Sequence, residues 1–136
     1  MVKVLDASAI VLFFEKKSGY EQVRQLFLDA SADKCTLLIT SVNWGEVRYI
    51  LIHHYAKTDP QKIDQALLSL PVRIVNVDQE LVSMASDLKI QYKIGYCDAI
   101  AAALAKLHKA ECVTTDRDFN ALKNEIKINL INLTLK

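Results

Sequence analysis

No apolar run in this 136-residue chain approaches the roughly 20 residues that a membrane span requires. Cysteine is scarce too. Cys35, Cys97 and Cys112 are odd in number and show no C-x-x-C spacing. That excludes a disulfide frame or a cysteine zinc site, and the three read as thiols of a reducing compartment. Neither sign of charge is in excess, and the formal net charge is only +1. Bulk attraction to a polyanion is therefore weak, and any nucleic-acid site has to come from local clustering. No linker, repeat or low-complexity stretch interrupts the chain. Met1 leads straight into an apolar run, without a basic-then-apolar leader. These absences point to a single cytoplasmic domain over residues 1–136, with a hydrophobic fraction of 51% large enough for a real core.

What is present is an alternation of two periodicities. Val2 to Leu5, Thr36 to Thr40, Val72 to Val77, Cys112 to Thr115 and Ile128 to about Leu133 read as strands. Between them, apolar residues recur at helical spacing. Ser8 is expected to cap a first helix that Gly19 interrupts, and a second runs from Tyr20 to about Ala32. Ser41 is expected to cap a helix through about Tyr55, with Trp44, Val47, Ile50 and Leu51 on one stripe. Asp59-Pro60 starts another, which Pro71 ends. Asp78 caps a further one, and an alanine-rich helix opens at Asp98. Strands alternating with helices imply an α/β layer fold with a mainly parallel sheet.

Four acids stand at the ends of these buried-looking elements, where an unpaired charge is costly. Asp6 and Asp116 follow the first and fourth strands, Glu46 lies early in the helix after the second strand, and Asp98 opens the helix feeding the fourth. In a parallel sheet, ligands bind beyond the carboxyl ends of the strands. One such edge could hold all four. Two unit charges 4 Å apart repel by about 1 kcal/mol in water and about 4 kcal/mol at an effective dielectric of 20. A gathered quartet therefore needs protons, basic side chains or a divalent metal. Oxygen donors without His or Cys favour Mg²⁺ or Mn²⁺ over zinc. A metal of that kind lowers the pKa of a water and steadies a leaving oxygen, which suits phosphodiester hydrolysis.

The flanking residues sharpen this. Leu5-Asp6-Ala7-Ser8, Glu46 in a helix after the second strand, Asp98-Ala99-Ile100-Ala101-Ala102-Ala103 and Thr114-Thr115-Asp116-Arg117-Asp118-Phe119 resemble the PIN-domain ribonucleases, and among them the VapC toxins of toxin–antitoxin pairs. The resemblance covers nearly the whole chain. It implies a three-layer fold with about five parallel strands, the first at the centre, flanked by helices. It also implies a Mg²⁺- or Mn²⁺-dependent endoribonuclease. Asp6, Glu46, Asp98 and Asp116 match the family's acidic quartet. Asp6 and Asp98 correspond to its main metal ligands, and Glu46 and Asp116 to carriers of a second metal or of its waters. Ser8 and Thr115 match polar positions beside the metal. The resemblance further implies an RNA substrate such as tRNA or ribosomal RNA, a cognate antitoxin and a homodimer.

Other readings stay open beside it. Asp118 either caps the turn before Phe119 or shares the metal with Asp116. Arg48, Lys93 and Arg117, with Lys16 and Lys17, are candidates for phosphate contact, although ordinary solvation explains each of them singly. His53 and His54 end a helix, where cations suit the dipole. A stand-alone PIN nuclease of RNA processing has the same chemistry. An aspartyl-phosphate enzyme with Asp6 as nucleophile needs a second aspartate two residues on, and Ser8 stands there. A non-catalytic interaction module leaves four such acids unexplained.

Overall fold

A computed structural model of the chain describes residues 1–55 and 59–131. In chain order the elements are β1 (Val2–Leu5), α1 (Ala7–Glu15), α2 (Tyr20–Ser31), β2 (Thr36–Thr40), α3 (Ser41–His54), α4 (Pro60–Leu68), β3 (Arg73–Val75), α5 (Gln79–Gln91), α6 (Tyr96–Leu107), β4 (Glu111–Thr114), a 3-10 turn (Arg117–Leu122) and β5 (Ile128–Leu130). The sheet order is β3-β2-β1-β4-β5. Every neighbouring pair is parallel. This is the expected α/β fold with β1 at the centre.

Side chains of a strand alternate between its two faces, so each strand feeds two cores. Val4, Leu38 and Cys112 pack on one side with Leu81, Ala85 and Leu88 of α5 and the buried face of α6. Leu5, Leu37, Ile39 and Val113 pack on the other with Ile10, Val23, Phe27 and Val47 from α1, α2 and α3. Ala99 to Ala105 are all buried. Five alanines among those seven positions let α6 lie close to β1, β2 and β4 on one side and α5 on the other. Phe119 is fully buried in the same core, and it pins the 3-10 turn after β4.

Three helix starts differ from expectation. Asp6, not Ser8, caps α1, its carboxylate accepting from the Ala9 N–H. Thr40, not Ser41, caps α3, accepting from the Asn43 N–H. The reason is shared: each helix follows its strand with at most one intervening residue, so the last strand-like residue takes the capping position. Ser41 instead accepts from the Val77 N–H. The third is α6, which begins at Tyr96 after Gly95, with no side-chain cap, so Asp98 lies in its first turn. The edge strands are also short. β3 keeps only Arg73–Val75, whereas the inner strand β4 keeps its expected length but runs one residue earlier, Glu111–Thr114. β5 ends at Leu130, and the expected continuation reaches residues 132 and 133, which lie outside the described residues.

Replacing Phe119 by alanine is expected to destabilise the fold by about 3–5 kcal/mol, as for other buried phenylalanines. Urea unfolding followed by circular dichroism measures it.

Candidate active site

The central strand ends at a buried carboxylate. Asp6 is 2% exposed. Its N–H donates to the Val113 carbonyl, so the sheet ladder reaches it before α1 begins. The Ser8 hydroxyl donates to Asp6 Oδ1 at 2.6 Å and the Thr114 hydroxyl to Oδ2 at 2.6 Å. Each hydroxyl also accepts a backbone N–H, from Thr115 at 3.0 Å and from Asp116 at 3.0 Å respectively. Those backbone donors leave the hydroxyl protons free to point at Asp6, and a carboxylate accepting them is held ionised. Burial acts the other way and wins: the Asp6 carboxyl is raised to about 6.

Asp98 lies in the first turn of α6, where the helix dipole favours negative charge. It is nonetheless raised to about 7, first by burial and then by the charges of Asp6, Asp116, Glu46 and Asp118. Every charged neighbour acting on it is a carboxylate. Asp116 accepts from the Asp118 N–H at 2.9 Å, which fixes the turn after β4. Glu46 comes from the second turn of α3. Asn43, fully buried, reaches it with Nδ2 at 3.5 Å and donates from the same nitrogen to the Cys97 carbonyl at 3.1 Å. One amide thus joins α3 to the start of α6.

Asp6, Glu46, Asp98 and Asp116 line one open cleft of about 490 Å³, together with Ser8, Thr115 and Lys17. Lys17 is the single cation on its wall among the described residues, and its ammonium sits 3.1 Å from Glu15. Thr115 contributes its backbone N–H to the network, whereas the hydroxyl on Asp6 is that of Thr114. Asp118 is exposed and off the cleft wall. Arg48 faces away, bound to Asp64 of α4 through Nε at 2.5 Å and through a second nitrogen at 3.2 Å. Lys93 and Arg117 are exposed and do not line the cleft.

Two participants escaped the sequence reading. Thr114 was available from register: Leu5 pairs with Val113, so the next residues, Asp6 and Thr114, end up side by side. Asn43 follows Thr40 at the spacing of a cap and its third helical residue, but nothing in the sequence aims its amide at two helices.

Among the described residues no three His, Cys, Asp or Glu side chains converge closely enough to hold a metal as they stand. The donor set still fits a hard, hydrated cation. Mg²⁺ takes a few carboxylates and keeps several waters, so it does not need a dry protein cage. Buried and half-buried acids facing only one another lack the counter-charge that such an ion supplies.

A match to the family model of the PIN domain spans residues 3–125. The chain belongs to the PIN-domain family. No match was found among curated proteins. Among solved structures, it is similar to a toxin–antitoxin complex from Klebsiella pneumoniae, with 21% identity, 96% of this chain and 98% of that chain covered, and a TM-score of 0.74. DNA-bound VapBC from Salmonella typhimurium gives 18% identity, 97% and 99% coverage, and a TM-score of 0.74. VapC20 from Mycobacterium tuberculosis, described as a toxin that cleaves the sarcin-ricin loop, gives 18% identity, 88% and 93% coverage, and a TM-score of 0.68. At these identities the likeness is one of fold.

The raised carboxyls set a sign for stability. Unfolded, Asp6 and Asp98 return toward their ordinary value of 3.8. Between that value and their folded values the native chain binds more protons than the unfolded one, so metal-free stability falls as pH rises from about 4 to about 7. Asp98→Asn is expected to raise the melting temperature of the metal-free protein at pH 8 by about 3–6 °C, roughly the effect of 1 kcal/mol in a domain of this size. Millimolar Mg²⁺ or Mn²⁺ is expected to raise the wild type and not the variant. Thermal melts at pH 5 and pH 8 with and without metal measure both.

Proposed function

We propose that the chain is a divalent-metal-dependent endoribonuclease, and that it is the toxin of a toxin–antitoxin pair. The observation that carries the first part is the cleft lined by Asp6, Glu46, Asp98 and Asp116, whose single cation among the described residues, Lys17, is paired with Glu15. Asp6 and Asp98 are the main metal ligands. Glu46 and Asp116 hold a second ion or orient waters. Mg²⁺ or Mn²⁺, when bound, activates water and stabilises charge on the transferring phosphoryl group. The chain's own residues prepare the site. Ser8 and Thr114 fix both oxygens of Asp6, so that carboxylate meets the ion in one orientation. Asn43 steadies Glu46 against α6. Asp118 sets the turn that presents Asp116.

The net reaction is hydrolysis. A water oxygen attacks phosphorus in line, the bond to the 3′ oxygen breaks, and the products are a 5′-phosphate and a 3′-hydroxyl. Protons and metal compete for Asp6 and Asp98, and the attacking water has to lose a proton, so at limiting Mn²⁺ activity is expected to rise with pH.

The toxin role is supported by similarity to chains in toxin–antitoxin complexes along nearly their full length. It carries with it an RNA substrate such as tRNA or ribosomal RNA, a cognate antitoxin, a homodimer and action in the cytoplasm. Among the described residues no helix is long and apolar enough to cross a membrane.

Purified protein is expected to cleave RNA with Mg²⁺ or Mn²⁺. Asp6→Asn and Asp98→Asn are expected to lose at least about 100-fold in rate, the scale set by removing a group that stabilises transition-state charge. Cleavage that survives both substitutions, or excess EDTA, overturns the nuclease reading. Expression in cells tests the toxin role separately. Wild type is expected to arrest growth, Asp98→Asn is not, and co-expression of the product of an adjacent gene is expected to restore growth.

A further inference from the structure

An acid-lined cleft attracts metal and repels RNA, so the contacts that hold the substrate have to lie beside it. Two of the candidate cations are already engaged: Lys17 by Glu15, and Arg48 by Asp64. A second open pocket, of about 270 Å³, lies at the end of α1 and is lined by Phe13, Phe14, Lys16, Tyr20 and Arg24. Its floor is aromatic and firmly built. The Phe13 ring packs edge-to-face on Phe27 at 4.7 Å and on Phe14 at 5.5 Å. Its rim is cationic. Lys16 is exposed and forms no ion pair among the described residues. Arg24 has only Glu21 at 4.0 Å, with both side chains more than half exposed.

The end of α1 borders both pockets, through different residues. Leu12, Glu15 and Lys17 border the acidic cleft, while Phe13, Phe14 and Lys16 border the aromatic one. The helix ends at Lys16 in the left-handed conformation, φ 51°, with its N–H on the Phe13 carbonyl and the Lys17 N–H on the Leu12 carbonyl. That turn sends two successive lysines to different pockets, their Cα atoms about 3.8 Å apart. Aromatic faces beside cations suit single-stranded nucleic acid: bases stack on rings, and phosphates meet the cations.

We propose that the pocket of Phe13, Phe14, Lys16, Tyr20 and Arg24 is a subsite for a nucleotide of single-stranded RNA flanking the scissile phosphate. This rests on the ribonuclease reading and names where that enzyme grips its substrate. Tyr20, a partly buried lining residue, is assigned the stacking role. Lys16 and Arg24 contact the phosphates on either side of the stacked base.

Two variants test it: Lys16→Gly with Arg24→Gln, and Tyr20→Leu, in which leucine keeps an apolar side chain where Tyr20 packs against the core. Glycine suits the left-handed position, and both cations are exposed. The measurement is binding of a short fluorescent single-stranded RNA to the full chain in EDTA, over a range of salt, beside cleavage in Mn²⁺. The double variant is expected to lower the slope of log affinity against log salt by about 1.4, two single-strand phosphate contacts at about 0.7 each. Tyr20→Leu is expected to weaken binding about tenfold while keeping the wild-type slope. Unchanged affinity and slope in folded variants, with wild type still cleaving, overturn the subsite and leave the nuclease reading standing. Wild type that neither binds nor cleaves overturns both. A change in sedimentation without a change in RNA affinity overturns the subsite and makes this face a protein interface.

Discussion

The structure depends on one electrostatic compromise: a carboxylate set inside the protein at the end of its central strand. Asp6 is buried because β1 is the middle strand and both faces of the sheet are covered. Two hydroxyls and a backbone N–H keep it oriented, yet burial still lifts its pKa to about 6. A chain that only had to fold would not carry such a group. Around it the local architecture bends to the same end. Asp6 and Thr40 both cap helices directly after their strands, which leaves α1 and α3 starting at the carboxyl edge. α6 arrives at that edge with Asp98 in its first turn.

Parallel topology explains why four residues far apart in sequence meet. Strands running one way place all their carboxyl ends on one side, and the helices that leave or enter there bring their first turns with them. The alanine-rich surface of α6 lets it approach the sheet closely enough for Asp98 to feel Asp6. Phe119 does the corresponding work for Asp116 by anchoring the turn that follows β4. Repulsion among these groups is the feature the fold leaves unbalanced. A hydrated divalent cation is the simplest counter-charge for oxygen donors of this kind.

Much of this was legible in the sequence. Periodicity located all five strands and six helices. Strand order placed Asp6 and Asp116 at one edge, and parallel connections could bring Glu46 and Asp98 to it. What failed to show was set by tertiary context. The caps moved by one or two residues because sharp strand-to-helix turns promote Asp6 and Thr40 over Ser8 and Ser41. Arg48 read as a phosphate contact, but its partner Asp64 lies on a different helix, sixteen residues on. Asn43 looked like an ordinary polar residue of a helix. Only packing reveals that it bridges Glu46 and the Cys97 carbonyl. Asp116 and Asp118 could not be ranked from spacing. In the fold Asp116 lines the cleft, and Asp118 donates its N–H to it.

The central claim is that these carboxylates are a cation site whose raised pKa values are relieved by metal. Calorimetric titration of Mn²⁺ into the metal-free protein at pH 6.5, in buffers of different ionisation enthalpy, tests it most directly. The account predicts binding that releases protons, because Asp98 is partly protonated at that pH and gives up its proton when the ion arrives. It also predicts loss of both binding and proton release in the Asp6→Asn, Asp98→Asn double variant. No binding to the wild type, or binding that the double variant retains, would contradict it.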